Sequence, residues 1–121
     1  MGYSDKELKE FKVNIDKKLK TAKSELAYLQ RLKTRRDEFG DDEIDNQYRT
    51  REESGKSMER EQLTQMVSRQ ITFIDHLEKA LLRIENKTYG ICRVTGKLID
   101  KARLRAVPHA TLSLEAKLGF V

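Results

Sequence analysis

Residues 80–117 read ALLRIENKTYGICRVTGKLIDKARLRAVPHATLSLEAK, and this stretch decides the fold because it contains the change from helix to short loops. Up to about residue 87 the apolar residues recur at helical spacing, and Tyr89-Gly90 then ends the helix. The apolar residues that follow come in short clusters separated by turns. Residues 89–121, called the C-terminal segment below, are too few to fold around a core of their own. We therefore expect this segment to pack on the open end of two helices, near the start of the first.

Two long helices are predicted upstream of the C-terminal segment. The first runs from about 5 to 37, with Ser4 and Glu7 as a capping box, and the second runs from about 57 to 87. Each helix carries one apolar stripe, and an antiparallel coiled-coil hairpin over 1–88 buries both stripes most simply. The stripes consist of Leu8, Phe11, Ile15, Leu19, Ala22, Leu26, Leu29 and Leu32, and of Leu63, Met66, Val67, Ile71, Ile74, Leu77, Leu81 and Ile84. The predicted fold class is all-α.

The overall composition excludes several classes of protein. Charged residues make up 37% of the 121 residues and there is one proline, so long exposed helices are favoured over a sandwich or a barrel. The single cysteine, Cys92, rules out an internal disulfide and is compatible with the cytoplasm, where we expect the protein. No apolar run approaches the ~20 residues that span a bilayer, so we expect no membrane partner.

Charge is unevenly distributed along the chain. The net charge of +5 hides an acidic region, because residues 37–61 carry ten Asp/Glu against four Lys/Arg and lie between two basic regions. A surface that binds nucleic acid along its whole length would not alternate in this way. The helical period is lost at about 39–56, where the chain must reverse. We therefore expect an acidic connector at the tip of the hairpin.

The end of the chain resembles the DksA/TraR family of bacterial transcription regulators. In that family a helix ending in RIE is followed by TYG, C-x-x-C-G, ARL, P-x-A-T-L and C-x-x-C. The residues in register here are Arg83, Ile84, Glu85, Tyr89, Gly90, Gly96, Ala102, Arg103, Leu104, Pro108, Ala110, Thr111 and Leu112. The match covers residues 80–117, whereas residues 1–60 match only in helical character and length. The resemblance implies a coiled-coil hairpin with a small zinc-finger-like domain at 89–121.

The resemblance also reveals a departure at the zinc-binding positions. The family binds zinc through two C-x-x-C pairs, and a structural zinc site needs four such ligands. The corresponding residues here are Cys92, Thr95, Ser113 and Ala116. Three of the four ligands are lost, so we expect a zinc-finger-like domain that binds no zinc and has no other cofactor. In place of the metal we expect an apolar cluster formed by Ile91, Val94, Ile99, Leu112 and Leu114.

The acidic tip is the second feature that the resemblance interprets. Members of the family insert the hairpin into the secondary channel of RNA polymerase, where acidic tip residues act near the catalytic magnesium. The candidate effector residues here are Asp41, Asp42, Asp45, Glu52 and Glu53. The family's tip motif, D-x-x-D-x-A, would fall near 49–54 and is absent, with Arg49 near its first position and Glu52 near its second. A solvated turn is the alternative interpretation, because charged runs usually form one.

Basic residues provide two further sets of candidates. The C-terminal segment carries a set that we expect to dock on an acidic partner surface: Arg93, Lys97, Lys101, Arg103 and Arg105. The resemblance also implies ppGpp-interface positions, which fall on Arg69, His76, Val107 and Lys117. Phosphate recognition needs several cations together, and Val107 has no donor while His76 is largely neutral at pH 7. We therefore expect ppGpp binding to be absent.

The predicted function is transcription regulation by direct binding to RNA polymerase, by a monomer that does not bind DNA sequence-specifically. An enzyme is not expected, because no nucleophile with a matching base and no glycine-rich phosphate loop is visible. The main alternative is a coiled-coil adaptor or dimerisation protein derived from the same family. A zinc-dependent or redox-sensing domain that uses Cys92 is a third hypothesis, and it predicts metal in the purified protein.

Overall fold

The structure, a computed structural model, describes residues 2–51 and 59–119, and the side chains of residues 2–35 and 59–119. These parts of the chain form α1 (Asp5–Arg51), α2 (Arg60–Glu85), α3 (Lys101–Ala106) and α4 (Leu114–Leu118). Within them there is no β-strand, and one isolated antiparallel bridge joins Ile91 to Leu98. The prediction of an all-α fold is confirmed. No helix in the described ranges is both long enough and apolar enough to cross a membrane.

The first helix is longer than predicted. We expected α1 to end near residue 37 and a connector to occupy about 39–56, but α1 continues to Arg51. Loss of the apolar period does not by itself end a helix, because an apolar stripe is needed only where a helix packs against another element. A single Gly40 within such a helix costs only about 1 kcal/mol. The residues that follow include Glu, Gln and Arg, which are strong helix formers.

The helix ends show which capping signals were predictable. The Ser4–Glu7 capping box is confirmed: Ser4 Oγ accepts from the Glu7 backbone N–H at 3.2 Å, and the Ser4 N–H donates to Glu7 Oε1. The second helix begins at Arg60 rather than near 57, where Ser57 lies outside the described residues. Its first turn is held by the Glu59 N–H, which donates to Gln62 Oε1 at 3.3 Å. Gln62 is the signal that the sequence analysis missed.

The predicted apolar stripes are largely buried. In α1 the buried positions include Leu8, Phe11, Ile15, Ala22 and Leu29, all of which were predicted. In α2 the buried positions are Leu63, Ile74, Leu77 and Ala80. The prediction is wrong for Met66 and Ile71, which are 37% and 49% exposed, and Ala80 takes a core position that was not predicted.

The chain divides into two compact units. Unit 1 contains the start of α1 up to Thr21, the end of α2 from Ile74, and the whole C-terminal segment. In this unit α1 and α2 are antiparallel, because Asp5 lies 3.4 Å from the amine of Lys87 and the Phe11 ring packs 5.3 Å from the Tyr89 ring. Unit 2 contains Ala22–Phe73. Inside unit 2, Gln70 of α2 donates to Glu25 of α1 at 2.6 Å.

The C-terminal segment packs on the start of α1, as predicted. The Tyr3 hydroxyl donates to the Ile99 carbonyl, and Lys101 forms an ion pair with Glu7. Its core differs from the predicted apolar cluster: Ile99 is buried, but Val94 and Leu114 are 60% and 56% exposed. The prediction is wrong for these two residues because Val94 lies in a surface turn and Leu114 begins α4. The remaining core positions are filled by Tyr89, Cys92 and Leu104.

Candidate functional site

The centre of the C-terminal segment is Cys92, whose side chain is completely buried. Its Sγ accepts hydrogen bonds from two backbone N–H groups, Thr95 at 3.5 Å and Ser113 at 3.3 Å. The sulfur thus links the turn after Cys92 to the residue that begins α4. Hydrogen bonding from the Thr95 hydroxyl, supported by the same backbone N–H groups, lowers the pKa of the Cys92 thiol to about 6.

The other three zinc-equivalent positions are occupied by groups that do not suit a metal. The Thr95 hydroxyl accepts from the Lys97 N–H at 3.2 Å, and the Ser113 hydroxyl accepts from the Ala116 N–H at 3.2 Å as the N-cap of α4. Ala116 has no donor atom at all. Among the described residues no group of three or more His, Cys, Asp or Glu side chains is arranged to hold a metal ion. The donor set of these four positions therefore does not fit a four-ligand zinc site.

The predicted docking residues differ in how far they are available to a partner. Arg93, Lys97 and Arg105 are exposed. Lys101 is engaged with Glu7; its hydrogen bond is the main cause that lowers the pKa of Glu7 to about 2 and raises the pKa of Lys101. Arg103 is half-buried, and its Nε donates to the Leu112 carbonyl at 2.9 Å. Two of the five predicted docking residues therefore also have structural contacts.

A basic pocket of about 440 Å³ lies in unit 1, between α2, α3 and the last part of the chain. Its lining includes His76, Lys79, Arg83, Arg103, His109 and Lys117. The two histidine rings stack, with their centroids 5.4 Å apart. The guanidinium of Arg83 donates to the His109 carbonyl at 3.5 Å, and burial lowers the pKa of Arg83. The pocket brings four permanent cations to one place.

The ppGpp-interface positions are partly brought together. His76, Val107 and Lys117 all line the basic pocket, whereas Arg69 belongs to unit 2. The sequence analysis missed Lys79, Arg83 and Arg103 as lining residues. Lys79 lies one turn from His76 on the same helix, and its ion pair with Asp75 at 3.0 Å has the i,i+4 spacing, so both were readable from the sequence.

The predicted tip residues are only partly covered by the structure. Asp41, Asp42 and Asp45 lie within α1 rather than in a loop, which corrects the predicted connector; their side chains lie outside the described residues. Glu52 and Glu53 lie outside the described residues altogether. Their effector role stays a prediction.

Comparison with known proteins finds similarity to one family. Residues 87–119 match the prokaryotic dksA/traR C4-type zinc finger. Over the whole chain the structure resembles that of transcription factor DksA2 from Pseudomonas aeruginosa, with a TM-score of 0.52 and 28% identity, covering 94% of this chain and 77% of that one. These matches show that the chain is similar to the DksA/TraR family, with the family model covering residues 87–119.

Curated relatives match part of the chain. RNA polymerase-binding transcription factor DksA of Caulobacter vibrioides is 47% identical over 49 residues, which are 40% of this chain and 34% of that protein. General stress protein 16O of Bacillus subtilis is 39% identical over 44 residues, or 36% of this chain and 27% of that protein. The aligned part thus spans about a third or less of these relatives. The family prediction is confirmed.

Proposed function

We propose that this protein is a bacterial, cytoplasmic transcription regulator that binds RNA polymerase through its secondary channel and does not bind DNA sequence-specifically. The observation that carries the proposal is the likeness to transcription factor DksA2 over 94% of the chain. The matched Caulobacter relative is named as RNA polymerase-binding, which supports the same partner. No catalytic step is part of this proposal.

Docking is assigned to the exposed basic residues of the C-terminal segment. Arg93, Lys97 and Arg105 stand free of the contacts that hold Lys101 and Arg103 in the fold, so their charges are available to an acidic polymerase surface. Charge complementarity of this kind raises the association rate and falls with added salt. Neutralising the three exposed residues should therefore weaken polymerase binding without unfolding the protein.

The effect on transcription is assigned to the acidic residues of the tip. Asp41, Asp42 and Asp45 lie within α1, and Glu52 and Glu53 follow Arg51 in the sequence. Carboxylates close to a catalytic metal or to basic polymerase residues perturb them electrostatically without reacting. The basic residues of the C-terminal segment are thus assigned to polymerase binding, and the acidic tip residues to the effect on transcription.

A polymerase-binding assay with a matched pair of variants tests both assignments. The tip variant carries Asp41→Lys and Asp45→Lys, and the control carries Glu10→Lys and Asp16→Lys, which make the same charge change at exposed positions near the start of α1. We expect wild type and both variants to bind core polymerase at micromolar concentration, and only the tip variant to lose its effect on transcript yield. Failure of the wild type to bind removes the proposed function. Equal transcript yields for both variants remove the tip assignment.

Recognition of a phosphate-bearing nucleotide by the basic pocket is a second candidate function. Lys79, Arg83 and Arg103 join Lys117 in a cluster of cations that the sequence analysis did not predict, and this cluster favours anion binding over the expectation that ppGpp binding is absent. Polymerase affinity measured with and without ppGpp tests it. We expect ppGpp to tighten binding for wild type and for the control Lys12→Gln, at an exposed position of α1, but not for Lys117→Gln. An affinity unaffected by ppGpp removes this candidate.

A further inference from the structure

The four zinc-equivalent positions of the C-terminal segment contact one another directly. Cys92 Sγ accepts from the N–H groups of Thr95 and Ser113, and the Ser113 hydroxyl accepts from the Ala116 N–H. Each of the four residues is thus joined to at least one other of the set. The distances, from 3.2 to 3.5 Å, are those of hydrogen bonds and of N–H···S contacts.

We propose that this hydrogen-bonded set, with the Cys92 sulfur as its hub, takes the place of a metal and makes the C-terminal segment metal-independent. The proposal is separate from polymerase binding and holds whether or not that function is correct. A structural metal ties two loops together by binding ligands from both. Here the Cys92–Ser113 hydrogen bond makes the same connection, between residues 21 positions apart.

Each substituted residue contributes a specific replacement contact. Ser113 is the N-cap of α4, where a hydroxyl satisfies a backbone N–H that the helix leaves without a partner. Thr95 accepts from the Lys97 N–H and so fixes the turn that follows Cys92. Ala116 contributes its backbone N–H, which donates to the Ser113 hydroxyl. A cysteine at position 113 would not supply the same cap, because Ser and Thr are preferred N-caps.

Backbone contacts around the hub reinforce the same connection. The Cys92 N–H donates to the Lys97 carbonyl at 2.8 Å, and the Gly96 N–H donates to the Cys92 carbonyl at 2.8 Å. The neighbouring Arg93 N–H donates to the Thr111 carbonyl at 3.0 Å, which joins the two loops a second time. With the Cys92 side chain fully buried, the hub is closed to solvent. These hydrogen bonds connect the loops of the C-terminal segment through residues of the chain itself.

The first experiment measures metal content and chelator sensitivity of the full-length protein. We expect purified protein to contain less than 0.1 equivalent of zinc, on the order of background for a site without four ligands. Its melting temperature should be the same with and without EDTA. One equivalent of bound zinc, or a melting temperature that falls when EDTA is added, overturns the proposal.

A second experiment tests the replacement contacts themselves. The variant Ser113→Ala removes the cap hydroxyl, and we expect it to lower the melting temperature by about 4 °C. Ser113→Thr keeps a hydroxyl and should restore most of this loss. The control Ser68→Ala, at an exposed position of α2, should melt within about 2 °C of wild type. A Ser113→Ala variant that melts with the control overturns the role of the cap.

The third experiment uses a triple variant that is expected to restore zinc binding in the C-terminal segment. Thr95→Cys, Ser113→Cys and Ala116→Cys together restore two C-x-x-C pairs on the same backbone. We expect this triple variant to bind one equivalent of zinc and to melt at a lower temperature when EDTA is added. Because the readout is zinc content, it does not depend on any activity. A triple variant that folds but takes up no zinc contradicts the idea that the segment keeps the zinc-finger backbone.

Discussion

Tyr89 is the largest of the fully buried side chains that the structure describes. Its hydroxyl donates to the Pro108 carbonyl at 2.7 Å, and burial raises the pKa of Tyr89 to about 12, so the donor proton is kept at any physiological pH. Tyr89 therefore joins the end of α2 to the turn after α3 by one buried hydrogen bond.

Replacing Tyr89 by Phe should destabilise the protein. The Pro108 carbonyl would lose a buried donor, and such a loss costs about 1–3 kcal/mol in unfolding free energy. Urea denaturation measures the change. The control Tyr28→Phe alters a ring that is 53% exposed and should change stability by less than about 0.5 kcal/mol. Equal stabilities for the two variants would show that the Tyr89 hydroxyl contributes nothing.

Alanine substitutions at Gly90 and Gly96 separate the backbone cost of a side chain from its steric cost, both measured as a loss of unfolding free energy. Both have positive φ, +82° and +73°, so alanine at either position incurs a backbone cost of about 1–2 kcal/mol. A Cβ at Gly90 would also lie 2.7 Å from the Tyr3 ring, whereas one at Gly96 would meet nothing within 4 Å. We expect Gly90→Ala to lower the unfolding free energy more than Gly96→Ala, as measured in urea. If the two variants lose the same unfolding free energy, the close packing of the Tyr3 ring against Gly90 is contradicted.

His109 should make stability depend on pH. Burial, with the charges of His76 and Arg83, lowers the pKa of His109 below its usual 6.5. Below pH 6.5 the unfolded chain takes up a proton that the folded one does not, so the unfolding free energy falls as the pH drops from 7 towards 5. Melting curves across this range should show the fall, and His109→Gln should reduce it. An NMR titration midpoint above 6.5 for His109 would contradict the prediction.

At the scale of elements, α1 shows what an apolar pattern does and does not predict. The apolar stripe from Leu8 to Leu29 predicted the helix because the buried residues of α1 recur at helical spacing. Beyond residue 37 the period is lost, and the pattern then carries no signal to separate a solvated helix from a loop. The capping box of Ser4 and Glu7 correctly predicted where α1 begins. The start of α2 was misplaced because Gln62, not a glutamate, completes its first turn.

Gly40 provides a test of the extended helix. In the interior of a helix, Gly40→Ala should raise helix stability by about 1 kcal/mol, because alanine loses less backbone entropy than glycine. If the helix instead ended there, Gly40 would occupy a left-handed position and alanine would destabilise the protein. Circular dichroism at 222 nm during thermal unfolding measures the sign of the change. A lower melting temperature for Gly40→Ala would contradict the continuation of α1 to Arg51.

At the scale of the whole molecule, the candidate sites differ in how far the sequence revealed them. The zinc-equivalent positions could be located one by one, because the resemblance kept them in register from Cys92 to Ala116. The hydrogen bonds that join them could not be predicted, since a run of residues does not show which N–H groups face a sulfur. The basic pocket was missed for a similar reason. Arg83 and Arg103 are far apart in the chain and meet only in the folded unit.

The monomeric state is the prediction that belongs to the whole molecule. Among the described residues, all but two of the stripe positions of α1 and α2 are at most partly exposed, so these stripes are not free to hold a second copy. Sedimentation equilibrium at micromolar concentration should give the mass of one chain. A stable dimer would favour the coiled-coil adaptor over the polymerase-binding regulator. The variant Ile71→Gln, at an exposed apolar position of α2, would then show whether that side chain lies in the dimer interface.

The hydrogen bond from Tyr3 to Ile99 has a consequence for biosynthesis. The two residues are 96 positions apart, so unit 1 cannot close until residue 99 has left the ribosome. Helical turns of α1 form locally and early, but their apolar side chains gain these partners only after many more residues have been translated. A nascent chain stalled before residue 99 should therefore be cleaved readily by proteases and bound by chaperones, while the released full-length polypeptide is protected.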